Sequence, residues 1–158
     1  MPVKFAISDP TLKIWITLRQ TYIRVSKSEE AVLAKEGMTL QQYKVLLAIK
    51  HINNPVTPTA VAHWLDLNTN SISLIIDRME KDRLVKRVRD FKDRRMVRLV
   101  ITKEGKEIYE RATGPSWDCM KRVMSCLSVE EMSTFAQLME RLGESACEEL
   151  ARMEPGKS

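Results

Sequence analysis

The residues of this chain whose types and spacing could do chemistry lie between positions 68 and 98. Over 68–81, apolar side chains recur at the spacing of one helix face, at Ile72, Ile75, Ile76 and Met79. The remaining side chains of this helix are mostly short groups that exchange hydrogen bonds, and the candidate contacts among them are Thr69, Asn70, Ser71, Ser73, Leu74 and Arg78. A helix of this composition is suited to the major groove of DNA, where asparagine can read adenine.

A basic β-hairpin is predicted directly after this helix. The segments 85–89 and 96–101 are rich in strand-forming residues, and apolar side chains alternate along the second of them. The charged segment 90–95 between them is predicted to be the hairpin loop. Five charged residues of this hairpin are candidate DNA contacts: Arg87, Lys92, Asp93, Arg94 and Arg95.

The positive excess of the chain is concentrated in this helix and hairpin. Residues 68–98 contain ten Lys/Arg and five Asp/Glu, a net charge of +5. The whole chain has 26 Lys/Arg and 21 Asp/Glu, also +5, which leaves 16 of each sign that cancel elsewhere. A charge run is usually only a solvated surface, but this localisation indicates a nucleic-acid contact.

The preceding segments predict a helix-turn-helix. Thr39 is placed to cap a helix over 40–51, and Thr57 followed by Pro58 is a strong start signal for a helix that ends near position 65. Asp66 and Leu67 then form a tight turn, and Asn68 caps the candidate recognition helix. Two short helices and a hairpin make a winged helix-turn-helix over 38–102. The fold class is therefore mainly α with a small β-hairpin wing (α+β), in a single domain, 1–158.

Helices with apolar stripes flank the winged lobe. One is predicted over 10–35, ended by Gly37, and two more follow over 103–152. Thr102 caps the first of these two, which Gly114 and Pro115 are expected to interrupt. A capping box of Ser128 and Glu131 begins the last helix. The stripes exceed what one small winged core covers, so 10–35 and 103–152 are expected to form a homodimer, which places two recognition helices on two half-sites.

The remaining composition narrows the class of protein. The sequence shows neither a signal peptide nor an apolar run that could span a membrane, so a cytoplasmic protein without membrane contact is expected. Three cysteines without metal-ligand spacing are expected to be buried, reduced thiols: Cys119, Cys126 and Cys147. His51 and His63 are isolated, so no metal site and no cofactor are predicted. Nucleophile–base spacing and phosphate loops are also lacking, which argues against an enzyme.

The hairpin and the segment after it resemble the MarR family of bacterial transcription regulators. Asp93-Arg94-Arg95, the strand that follows, and Ile101-Thr102-Lys103-Glu104-Gly105 are similar to the family's wing, in which Leu usually precedes the Thr. Residues 56–62 are similar to the start of the family's first helix-turn-helix helix. The resemblance covers roughly 10–150 and implies a winged-helix homodimer that binds palindromic operator DNA, often as a repressor. It also implies that Asp93 braces Arg95, which enters the minor groove.

Two positions depart from the family, because Asp66 and Arg83 stand where glycine is usual. Each residue either adopts a left-handed conformation, at a cost on the order of 1 kcal/mol, or belongs to a turn of another geometry. Family members also release DNA when an aromatic or phenolic ligand enters a cleft between the dimerisation helices and the winged lobe. The candidate lining of such a cleft, with core and dimer packing as the alternative role, is Trp15, Arg19, Tyr22 and Tyr43.

Two alternative functions remain open at this point. A winged-helix module that binds another protein would have the same fold, but it is expected to have a neutral recognition helix and an uncharged wing. A redox-responsive regulator would use one of the three cysteines. The peroxide-sensing relatives have a reactive cysteine near the N-terminus, whereas the first cysteine here is Cys119.

Overall fold

The computed structural model of the chain describes residues 8–53, 55–90, 93 and 95–153. Its elements, in chain order, are α1 (Pro10–Lys35), α2 (Leu40–His51), α3 (Pro58–Trp64), α4 (Thr69–Lys81), β1 (Val85–Arg89), β2 (Val97–Ile101), α5 (Lys103–Met124) and α6 (Val129–Met153). This mostly helical architecture with one antiparallel hairpin confirms the predicted fold class. No helix among the described residues is long and apolar enough to cross a membrane.

Side-chain caps begin the three helices of the helix-turn-helix lobe. The Thr39 hydroxyl accepts the backbone N–H of Gln42, whose side chain accepts the N–H of Thr39 in return, a capping box. Thr57 caps α3 by accepting the N–H of Ala60 at 3.1 Å, and Asn68 caps α4 in the same way through Ser71. The helices bury their apolar faces in one core, and its fully buried members include Leu46, Val61, Ile72, Ile76 and Met79. The predicted starts of all three helices are confirmed.

Three helices end in a left-handed residue, and only one of these residues is glycine. Gly37, Asp66 and Arg83 have φ angles of 75°, 55° and 58°. Each is followed by a residue whose N–H donates to the carbonyl of the residue five positions earlier, as Leu84 does to Met79 at 2.8 Å. The left-handed alternative is therefore correct for both departures from the family pattern, each at a cost on the order of 1 kcal/mol.

The hairpin is fastened to the lobe on both sides. In the register of β1 and β2, Val85 lies opposite Ile101 and Arg89 opposite Val97. On the outer edge of β2, the N–H of Leu99 donates to the carbonyl of Val56 in the α2–α3 connection at 2.9 Å. These contacts fix the direction in which the hairpin leaves the lobe.

Helix α5 begins against the first residues of the hairpin. The Thr102 hydroxyl accepts the N–H of Gly105 at 3.0 Å, and the N–H of Thr102 donates to the carbonyl of Leu84 at 3.1 Å. A Cβ at Gly105 would lie 2.0 Å from that carbonyl oxygen and 2.9 Å from Cγ2 of Ile101. The glycine of the Thr-Lys-Glu-Gly motif is therefore required by close packing of a helix on a backbone.

The predicted interruption of α5 at Gly114 and Pro115 is wrong. The helix is continuous, with Pro115 inside it. Residues on both sides of the proline are buried, among them Ala112, Ser116 and Cys119, and Ser116 donates to Glu29 of α1 at 3.0 Å. Packing of this face on α1 holds the helical conformation despite the missing proline N–H.

The chain divides into two compact units, Met1–Cys119 and Met120–Ser158, with the boundary inside α5. In the second unit, the Ser128–Glu131 capping box is present and begins α6 at Val129, as predicted. None of the residues of α6, all of which the structure describes, is buried. That the whole chain, 1–158, forms a single domain stays a prediction.

The expectation that all three cysteines are buried is wrong for two of them. Cys119 is buried and its thiol lies 3.8 Å from the carbonyl of Ser28. Cys126 and Cys147 are exposed thiols. The difference follows from position, because both exposed cysteines belong to the second unit, where α6 has no buried residue.

Candidate nucleic-acid interface

Helix α4 presents its predicted contact residues on the side opposite the core. Ile72, Ile76 and Met79 have no exposed surface, whereas Leu74 is 61% exposed. Of the other candidates, Thr69, Asn70 and Arg78 are exposed and Ser71 and Ser73 are half-buried. The sequence pattern therefore divides the helix into a buried face and an exposed face at the positions predicted.

Arg87 has a structural role that sequence reasoning missed. Its guanidinium Nη1 lies 2.6 Å from Oδ1 of Asp77 and also pairs with Glu80, while its backbone N–H donates to Oε1 of Glu80 at 2.7 Å. Burial lowers the pKa of Arg87, but the hydrogen bonds and charges of the two carboxylates outweigh that effect and raise it. The spacing of Asp77 and Glu80, at i and i+3 on α4, was the available signal.

The base of the hairpin loop is built around two carboxylates. Asp90, predicted as part of an exposed loop, is buried and forms an ion pair with Nε of Arg98 on β2. Asp93 accepts the backbone N–H of Arg95 at 2.9 Å. The brace therefore acts on the Arg95 backbone, and the Arg95 side chain is exposed. The candidates Lys92 and Arg94 lie outside the described residues.

All five carboxylates of segment 68–98 are engaged within the chain. The fifth of them, Asp82, accepts a hydrogen bond from Nε2 of Gln42 at 3.1 Å. Among the cations of this segment that the structure describes, six are exposed: Arg78, Lys81, Arg83, Lys86, Arg89 and Arg95. The acidic groups thus have partners within the chain, whereas most of the described basic groups are exposed, so the surface of the segment is positive.

The four residues predicted to line a ligand cleft differ in their exposure, and the cleft itself stays a prediction. Tyr43 is buried and stacks on Tyr109, with ring centroids 5.6 Å apart. Burial is the main cause that raises the pKa of Tyr109. Trp15, Arg19 and Tyr22 are exposed on α1. Nζ of Lys44 lies over the ring of Tyr22, 5.9 Å from the ring centroid. Tyr43 therefore has a packing role here.

A cavity of about 590 Å³ lies beside α4. It is bounded by the end of α1, the start of α2 and the inner side of α4. Its lining combines apolar side chains with charged and amide groups: Glu30, Ala34, Met38, Thr39, Leu40, Gln41, Gln42, Ile75, Arg78, Met79 and Asp82. Sequence reasoning missed this cavity, because its walls come from two stretches, 30–42 and 75–82, that are separated in the chain and meet only in the fold.

The family model described as transcriptional regulator SarA/Rot matches residues 19–112 of the chain. The chain belongs to this family of transcriptional regulators. Among similar proteins, the homoprotocatechuate degradative operon repressor of Escherichia coli is 31% identical over 126 residues, which cover 75% of this chain and 82% of the relative. The transcriptional repressor MdtR of Bacillus subtilis (strain 168) is 26% identical over 133 residues, covering 84% and 85%.

Solved structures of MarR-type regulators have the same fold. AbsC, a MarR family regulator from Streptomyces coelicolor, superposes with a TM-score of 0.81 at 20% identity, covering 90% of this chain and 98% of its own. The S. aureus MepR–DNA complex gives 0.77 at 20% identity, with 90% and 99% covered. The organohalide-sensing regulator RdhR-CbdbA1625 bound to 2,4-dichlorophenol gives 0.79 at 20% identity, with 92% and 86% covered. The MarR resemblance and the winged helix-turn-helix are confirmed.

Proposed function

We propose that this regulator is a cytoplasmic repressor that binds a palindromic operator as a homodimer. The observation that carries the proposal is the joint placement of an exposed polar face on α4 and an exposed arginine, Arg95, on a braced hairpin. A polar helix face fits the major groove, and a basic hairpin tip fits the adjacent minor groove. The relatives named above as repressors favour repression over activation.

The homodimer is supported by apolar side chains that the single chain leaves in contact with water. On α6, Phe135, Leu138 and Leu142 are 46%, 54% and 40% exposed. On α1, Ile14 and Trp15 are 67% and 53% exposed. Several large apolar side chains exposed on one helix mark an association site. A two-fold dimer places its two recognition helices about one turn of DNA apart, roughly 34–36 Å, and so requires a palindromic site.

The helix and the wing are expected to fail differently when mutated. Asn70→Ala removes a candidate base contact in the major groove, so preference at one base pair per half-site should fall by about 1–3 kcal/mol while the salt dependence stays nearly unchanged. Arg95→Ala removes a charge from the minor groove, so binding to all sequences should weaken and the salt dependence should flatten. Asp93→Ala should act as a weaker Arg95→Ala, because it removes only the backbone brace.

The measurement is a fluorescence-anisotropy titration on an operator selected from random duplexes and on its point-mutated versions, at several salt concentrations. Thr113→Ala, a loss of a hydroxyl on α5, serves as the matched control for folding and concentration. Base preference that survives Asn70→Ala would mean that α4 docks differently. Wild-type binding by Arg95→Ala would remove the wing from the DNA contact.

We propose further that a small aromatic or phenolic effector releases the DNA by entering the cavity beside α4. Its volume, about 590 Å³, lies within the range of ligand pockets, roughly 300–1,000 Å³. Ile75, Arg78 and Met79 line it from α4, so an occupant would contact the helix that reads DNA. A thermal-shift screen with phenols and aromatic acids should find a compound that raises the melting temperature. Met38→Trp, which fills the cavity, should abolish that shift, and an unchanged shift would place the effector elsewhere.

A further inference from the structure

The contacts of Arg87 join the wing to the recognition helix at three points. The guanidinium bonds to Asp77 and Glu80 of α4, and the backbone N–H of the same residue bonds to Glu80. The side chain of Arg87 is 29% exposed and that of Glu80 is 31% exposed, so both are partly shielded from water. Hydrogen bonds in which both the donor and the acceptor are charged are among the stronger contacts in proteins, and here one guanidinium nitrogen, Nη1, bonds to both carboxylates.

The place of these contacts in the fold gives them a mechanical role. Arg87 is the central residue of β1 and lies opposite Leu99 of β2, whose N–H is bonded to Val56. The hairpin is therefore held at its middle, from one edge by α4 and from the other by the α2–α3 connection. The angle between the wing tip and α4 decides whether one rigid body reaches two grooves of DNA at once.

We propose that Arg87 is a positioning residue which clamps the wing to the recognition helix through Asp77 and Glu80, and that it does not bind phosphate itself. This inference rests on the proposed DNA-binding function. A guanidinium that already has two carboxylate partners has little charge left to attract phosphate. Loss of the Arg87 side chain is therefore expected to weaken DNA binding by displacing Arg95, which lies on the same hairpin.

A double-mutant cycle between Arg87 and Arg95 separates clamping from direct phosphate contact. Arg95→Ala alone should weaken DNA binding on the order of 10- to 100-fold in the dimer. In the Arg87→Met background, where the wing is already misplaced, the same substitution should cost less than about threefold. Each single variant should make the slope of log K against log salt concentration less steep by about 2. The double variant should change the slope by no more than either single variant does. Additive losses of affinity and slope would overturn the proposal.

For Glu80→Ala, the clamp and simple electrostatics predict opposite changes in DNA affinity. Removing a carboxylate near the DNA raises affinity if charge alone matters. The clamp predicts a loss on the order of 3- to 10-fold, because Arg87 loses an ion pair and its backbone acceptor. Alanine favours the helix, so α4 itself is not weakened. Glu110→Ala, the same exchange at an exposed position of α5, should leave DNA binding unchanged. Tighter binding by Glu80→Ala overturns the proposal.

Amide hydrogen exchange on the free protein tests the clamp without DNA. Arg87→Met and Glu80→Ala should each speed exchange of the β1 and β2 amides at least about tenfold while the α2 amides keep their protection. Equal protection of the hairpin in wild type and variants would overturn the clamp even if DNA binding is lost. If the wild type fails to bind DNA but the exchange result holds, the proposed function fails and the clamp stands.

Discussion

Replacing Leu138 and Leu142 by Asp should convert the proposed dimer into monomers and abolish specific DNA binding. Both leucines are exposed on α6 of the single chain, at 54% and 40%, one turn apart on the same face. An unpaired charge buried in an interface costs about 3–5 kcal/mol, so the four aspartates of a dimer would oppose association by far more than a typical dimer gains. Light scattering should give about twice 18.2 kDa for the wild type and 18.2 kDa for the variant.

The matched control moves the same substitution to the other side of α6. Gln137 and Arg141 precede the two leucines by one residue each, which places them on the polar face. Gln137→Asp with Arg141→Asp should stay dimeric and should bind the operator. A monomeric wild type at micromolar concentration, or a monomeric control, would contradict the assignment of this face.

Gly105→Ala should destabilise the winged lobe by about 3 kcal/mol, at the upper end of overpacking costs. The added Cβ would lie 2.0 Å from the backbone oxygen of Leu84, and a backbone carbonyl cannot rotate away as a flexible side chain can. That carbonyl also accepts the N–H of Thr102, so relief of the clash breaks the start of α5. For a chain of this size, thermal melting should occur about 6–12 °C lower.

Gly143→Ala is the control for the loss of a glycine. It lies inside α6, and apart from its chain neighbours and the nearby backbone of the helix itself, no atom of the described residues lies within 4 Å of the Cβ that would be added. Alanine favours a helix over glycine by about 1 kcal/mol, so this variant should melt at the wild-type temperature or higher. Equal melting temperatures for Gly105→Ala and wild type would mean that α5 does not pack on the hairpin as described.

Local signals were sufficient to predict the winged lobe from the sequence. Thr39, Thr57 and Asn68 each cap a helix at the position expected, because an N-cap is a short-range interaction between residues three apart. The buried face of α4 follows from its apolar spacing alone. The register of β1 and β2 is constrained by the alternation of apolar residues along β2.

Features that depend on partners distant in the chain could not be predicted in this way. Pro115 usually ends a helix, and only burial of its neighbours against α1 explains why α5 continues. Arg87 was predicted to be a DNA contact, because its two acidic partners become its neighbours only after the hairpin folds back on α4. The burial of Asp90 likewise depends on Arg98 across the hairpin.

The salt dependence of operator binding tests the central claim most directly, since the claim is that the exposed cations of 68–98 meet DNA phosphates. Each phosphate that a protein neutralises contributes about 0.9 to the slope of log K against log salt concentration. With three or four contacts per subunit, a titration of the wild-type dimer on its operator should give a slope of about −5 to −7. A slope near zero would contradict the electrostatic interface and the function proposed from it.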